Sequence, residues 1–137
     1  MEKYRFIEDL TSDVMFEAYG KDLKEVFANA AEAMFRVICK LDKVKQKKSL
    51  DVEVKAENRE ELMINWLQEL IAMVDIKGMF FSKFEILEID ERHLKAKIFG
   101  DDIRPELGET VVKAVTYYKY NFEKTPKGYA VRVSLDI

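Results

Sequence analysis

Gly78 marks a change of period in this chain, and that change limits the folds open to it more than any other feature. Upstream, Leu23, Val26, Phe27, Ala30, Ala31, Met34 and Ile38 recur at offsets of three and four, which places them on one side of a helix over residues 22–39. Leu62, Met63, Trp66, Leu67, Leu70, Ile71 and Val74 repeat that spacing, and Asn58 with Glu61 three residues on supplies a capping-box start for a second helix. Downstream the apolar residues alternate, as they do in strands. Residues 84–89 and 94–99 read as a hairpin about Asp90-Glu91-Arg92. Residues 111–122 and 129–137 read as another about Thr125-Pro126-Lys127-Gly128, whose Pro and Gly suit a reverse turn. Closing that hairpin at Lys124 and Tyr129 sets Asp136 opposite Tyr117, within two residues. Residues 4–9 and 14–19 form two further short strands, and Leu50, Val52, Val54 and Ala56 alternate with charged residues in another. Amphipathic helices must bury their stripes against a second layer. The economical reading is a single α+β domain, residues 1–137, with two amphipathic helices packed on one face of a mainly antiparallel sheet. Residues 100–108, the least periodic stretch, form a loop or a short helical turn and are the candidate mobile edge of a site.

Composition removes several function classes. The longest apolar runs, such as Ile71-Ala72-Met73-Val74, fall far short of the ~20 residues that cross a bilayer, and Met1-Glu2-Lys3 leads into no signal-peptide core, so no membrane role is expected. The lone Cys39 cannot close an internal disulfide and points to a reducing, cytoplasmic setting. A net charge of −3 argues against a general nucleic-acid binder, so any link to RNA is expected to run through a protein partner. Lys40, Lys43, Lys45, Lys47 and Lys48 have no aromatic residues between them and read as a solvated connector.

Candidate chemistry is sparse. One Cys at a helix end and one His, His93, in a hairpin turn are accompanied by no Gly-rich phosphate loop and no His-Glu or Cys-x-x-Cys pairing, so independent catalysis is not expected. The carboxylates that stand out are Asp13, in Leu10-Thr11-Ser12-Asp13-Val14, and Asp136, whose neighbour Ile137 adds a terminal carboxylate. Oxygen donors without thiolate suit calcium, magnesium or manganese better than zinc. Taken alone, the same fragments also describe a turn-capping Asp13 and a frayed tail. Lys113, in an alternating strand, shares a face with Val111, Val115 and Tyr117 and reads by itself as a snorkelling lysine whose ammonium reaches an edge. Tyr117, Tyr118 and Tyr120 fit β propensity and cross-strand packing.

Taken together and in order, the Asp13 motif, the stretch Val112-Lys113-Ala114-Val115-Thr116-Tyr117 and the closing Asp136-Ile137 resemble the archease family, with the similarity running from Tyr4 to Ile137. The resemblance implies that Asp13, Asp136 and Ile137 hold a divalent metal ion, calcium first with magnesium or manganese as alternatives. It implies that Lys113 contacts an acidic or phosphate group of a partner. It further implies a non-enzymatic accessory activator of the GTP- and manganese-dependent tRNA-splicing RNA ligase, promoting guanylylation of the ligase histidine, restoring multiple turnover and relaxing nucleotide choice, with tRNA met only through the ligase. Two rivals are a chaperone or modulator of RNA-processing enzymes such as tRNA methyltransferases, in which the metal is structural only, and a metal-dependent hydrolase. The chain departs from the family where the early motif usually reads His-Thr-Ala-Asp, for it has Leu10 and Ser12 there, and where a His commonly follows Thr-Tyr it has Tyr118. Roles of those imidazoles do not carry over, and an all-oxygen site is expected.

Overall fold

Asp22 and Asn58 start the two helices by the same device. Each side chain accepts a hydrogen bond from the backbone N–H three residues on, Asp22 from Glu25 at 2.9 Å and Asn58 from Glu61 at 2.8 Å. Helix α1 then runs Leu23–Ile38 and helix α2 Arg59–Lys77, the latter closed by Gly78 in the left-handed region at φ 62°. The computed structural model describes residues 2–11 and 13–137; Met1 and Ser12 of the early motif lie outside them. Seven strands complete the described chain: β1 Tyr4–Ile7, β2 Val14–Gly20, β3 Lys48–Lys55, β4 Met79–Ile89, β5 His93–Asp102, β6 Ala114–Thr125 and β7 Gly128–Asp136. Every pairing among them is antiparallel.

The α+β class is as expected, but the strands form two sheets instead of one, ordered β1-β2-β7-β6 and β3-β5-β4. Helix α1 joins them. Its Phe27 packs on Phe122 of the first sheet, ring centroids 5.8 Å apart, while Phe35 meets Phe81 and Phe84 of the second at 5.8 and 5.1 Å. Eight residues at about 100° each set these rings about 80° apart around the axis, so one helix covers two surfaces. Trp66 of α2 is fully buried, and its indole N–H donates to the Phe27 carbonyl at 3.0 Å.

Three local expectations change. Strand β5 continues to Asp102, and the segment after it is pinned, not mobile: Leu107 is buried in a short turn, its carbonyl accepts from Lys40 N–H at 2.8 Å, and Glu109 N–H donates to the Ile38 carbonyl at 2.9 Å. The lysine connector folds in part, with Leu41 and Val44 buried. His93 heads β5 opposite Lys55 and lies against Glu53 through Nε2, outside the turn.

Replacing Trp66 by Phe removes the bond between the helices and leaves a gap in the core. The variant is expected to lose about 1–2 kcal/mol, read as a lower urea midpoint at unchanged slope.

Candidate functional site

Strands β2 and β7 pair from Val14↔Leu135 to Gly20↔Tyr129, so the residue before β2 comes to lie beside the end of β7. Asp13 and Asp136 therefore flank each other, both exposed, and Ile137 N–H donates to Asp13 Oδ2 at 3.2 Å. On the other side of β7, Ala114 pairs with Asp136, and Lys113 N–H donates to the Asp136 carbonyl at 2.7 Å. All four site residues picked out in the sequence meet at this corner. Among the described residues neither Asp13 nor Asp136 takes part in an ion pair, so no side-chain cation there competes for either carboxylate.

Among the described residues no three His, Cys, Asp or Glu side chains converge, and the side-chain oxygen donors at this corner are the Asp13 and Asp136 carboxylates. Asp101 and Asp102 do not extend the set: they sit in β5 of the other sheet, where Asp102 pairs with Lys48 at 2.7 Å. An all-oxygen set is of the kind hard divalent cations take. Lys113 differs from expectation. Strand β6 begins only at Ala114, Val112 and Val115 are buried, and Val111 and Tyr117 are 80% and 66% exposed, so no common apolar face carries the lysine stem. Its backbone is fixed by Asp136 while its side chain is exposed. Cys39 is buried; its thiol donates to the Phe35 carbonyl and is pushed up to about 12, chiefly by burial, so it stays protonated near neutrality.

Beside the corner, β6 leaves its register. Between Thr116↔Ser134 and Asn121↔Arg132 it takes five residue steps where β7 takes two, which is why Asp136 faces Ala114 and not Tyr117 although Lys124↔Tyr129 closes the hairpin as expected. Tyr117–Tyr120 form the bulge, with Lys119 in the left-handed region at φ 52°. Ser134 Oγ donates to the Tyr118 carbonyl at 2.9 Å and Arg132 Nε to the Lys119 carbonyl at 3.0 Å, which fixes the bulged backbone. Lys119 Nζ reaches Asp9 Oδ2 at 2.9 Å, and Asp9 Oδ1 accepts from Tyr118 at 3.2 Å and from the Thr11 N–H and hydroxyl at 2.9 Å each. The Tyr118 hydroxyl also meets that of Thr11. Lys119 and then the Thr11 donors hold the Asp9 carboxyl well below the usual carboxylate range. This clamp on residues 9–11, four residues or fewer before Asp13, was not foreseen in the sequence, where the tyrosines read as packing. Counting residues back from the β6–β7 turn does not reveal it, because Lys119 stands at the left-handed position where a glycine would have announced a break in register.

Because folding depresses the Asp9 pKa, its stabilising effect is complete above the unfolded value near 4 and fades as pH falls below it. The melting-temperature gap between the native chain and Asp9→Asn is therefore expected to be widest above about pH 5 and to close progressively toward pH 2, as followed by circular dichroism.

Comparison with known proteins places the chain in a family. Residues 4–137 match the family model described as the Archease protein family (MTH1598/TM1083). The protein archease of Methanosarcina acetivorans is 39% identical over 142 aligned residues, covering 99% of this chain and 97% of the relative, and that of Pyrococcus abyssi is 41% identical over 123, covering 86% and 87%. The solution structure of Methanobacterium thermoautotrophicum protein 1598 superposes with a TM-score of 0.85 at 35% identity, covering all of both chains. The crystal structure of a Thermotoga maritima archease, described as a possible chaperone, shares the fold at a TM-score of 0.70 and 19% identity over 97% of each chain. With the family model spanning nearly its whole length and relatives well above a third identical, the chain belongs to the archease family.

Proposed function

We propose that this chain is an accessory factor for the GTP- and manganese-dependent tRNA-splicing RNA ligase and acts through the Asp13–Asp136 corner. The observation that carries the reading is the convergence there of two carboxylates without ion pairs among the described residues, the Ile137 end and Lys113. A divalent cation, calcium first and magnesium or manganese as alternatives, supplies positive charge that eases repulsion at an attacked phosphate. Asp13, just before β2, and Asp136, at the end of β7, would hold it, with Ile137 as a third donor. The Ile137 N–H fixes one Asp13 oxygen and leaves the other for the cation. Lys113, anchored by its backbone but free to extend, aligns the ligase's phosphate charge during guanylylation of its histidine and so restores multiple turnover. At this corner tRNA is met only through the ligase.

One observation favours a second reading, a chaperone or modulator of RNA-processing enzymes such as tRNA methyltransferases. Leu10 is fully exposed and Ile137 is 39% exposed beside the carboxylates, an apolar rim suited to holding a protein surface. The description of the Thermotoga protein as a possible chaperone is in line with it.

Multiple-turnover ligation with GTP and manganese, with and without an equimolar amount of this chain, decides between them. The activator reading expects faster turnover, lost on Lys113→Ala while the melting temperature and calcium titration by calorimetry stay as in the native chain. Asp13→Asn and Asp136→Asn are each expected to weaken calcium binding by about 10–100-fold and to reduce stimulation in parallel. Unchanged turnover on adding the native chain rejects activation.

A further inference from the structure

Four lysines converge at the end of the first sheet remote from the acidic corner. Lys21, Lys24, Lys124 and Lys127 line a shallow cleft of about 700 Å³, with Asp22 the one carboxylate residue among its lining. Backbone packing builds this surface. A Cβ on Gly128, at φ 139°, would stand 2.2 Å from the Gly20 carbonyl oxygen and 2.6 Å from Lys21 Cα, so only glycine lets the β6–β7 turn lie on the segment that leads into α1. That contact sets the hairpin lysines beside those of the helix start.

Two of the nearby carboxylates are engaged by backbone amides, while Glu2, Glu17 and Glu123 line the adjoining depression that Lys127 shares. Asp22 accepts from Glu25 N–H at 2.9 Å and Glu25 from Lys21 N–H at 3.3 Å. None of the four lysines has an ion pair among the described residues, whereas Lys48, Arg36 and Lys119 are paired with Asp102, Asp42 and Asp9. Strand β7, nine residues long, separates this cleft from Asp136 by about 27 Å at ~3.4 Å per residue. The Debye length at physiological salt is about 8 Å, so the acidic corner does not cancel the field of the lysines. Net charge averages over two ends that act separately.

We propose that this cleft binds the phosphodiester backbone of RNA without regard to sequence. Ammonium groups on flexible stems recognise phosphates as point charges. Among the described residues none of the large exposed apolar side chains lines the cleft, so it has no wedge for a lipid surface. Tyr129, its aromatic residue, is taken up by Phe122 and Arg59, which leaves no free ring for base stacking. Phosphate contacts of this kind position a strand and do not specify it.

Fluorescence anisotropy of a labelled, unmodified tRNA transcript, titrated with the full chain between 50 and 300 mM KCl, tests the proposal. Three or four phosphate contacts predict that log affinity falls with log salt at a slope of about −2 to −3.5. Lys124→Glu with Lys127→Glu is expected to weaken binding at least tenfold at 50 mM and to flatten the slope by about 1.5. The milder Lys21→Ala with Lys24→Ala, checked for fold by circular dichroism, should show the same trend. Lys45→Glu with Lys47→Glu in the connector should leave binding within twofold, and so should Asp13→Asn, which separates this cleft from the proposed metal corner. Absence of binding at 50 mM, an equal loss in the connector variant, or capture by phosphatidylserine vesicles but not by tRNA would overturn it.

Discussion

The register of β7 between β2 and β6 is the constraint on which the rest of the molecule depends. Val131, Val133 and Leu135 point inward and are buried to within 1% of full occlusion. Strand side chains alternate, so a slip of one residue would send all three to solvent, and at about 1.5–3 kcal/mol per buried side chain the penalty is several kcal/mol. That penalty fixes which residues end up together at each end of the strand. At one end Asp136 comes to lie beside Asp13; at the other Gly128 closes on Gly20. Both candidate surfaces are consequences of a single pairing.

With β7 held on its inner side by β2, the mismatch in residue number falls on β6. The chain resolves it with a bulge instead of a loop because Ser134 and Arg132 offer donors to the displaced carbonyls of Tyr118 and Lys119. A left-handed non-glycine residue costs roughly 1–2 kcal/mol, and two hydrogen bonds at about 0.5–1.5 kcal/mol each offset it. The conformation at Lys119 then throws its ammonium toward Asp9, and Tyr118 follows to the same carboxylate. Strain in β6 is thereby coupled to the shape of the N-terminal corner. The segment that leads into Asp13 is clamped on its N-terminal side by Lys119, Tyr118 and Thr11, while Asp13 itself is held through Ile137.

The helices were legible because their signals are local: offsets of three and four, Asp22 and Asn58 at the starts, Gly78 at the end of α2. The β6–β7 turn was legible for the same reason, and Lys124 does pair with Tyr129. The division into two sheets was not, since alternation says that a strand has one buried face and says nothing of which helix surface covers it. Phe27 and Phe35 read as one stripe in the sequence but face different sheets. The bulge had no sequence signature, because its left-handed position holds Lys119 where glycine would have announced it. Asp13 and Asp136 could be linked in the sequence through family likeness alone, for residues so far apart carry no periodic signal. The lysine cleft escaped because a net charge of −3 is a sum over the whole chain and hides where its terms lie.

The donors at the acidic corner limit how it can act. Leu10 points fully into solvent and offers no lone pair, while the Tyr118 hydroxyl is committed to Asp9 and Thr11. Imidazole is the side chain that moves protons near neutral pH, and His93 lies in the other sheet against Glu53. Cys39 is buried and protonated. What the corner has is negative charge at the start of β2 and the end of β7, whose separation is set by backbone hydrogen bonds, with the exposed Lys113 anchored beside it through its backbone. On the proposed reading such an arrangement works by where it holds charge, and its effect is read out on a partner brought into contact with it.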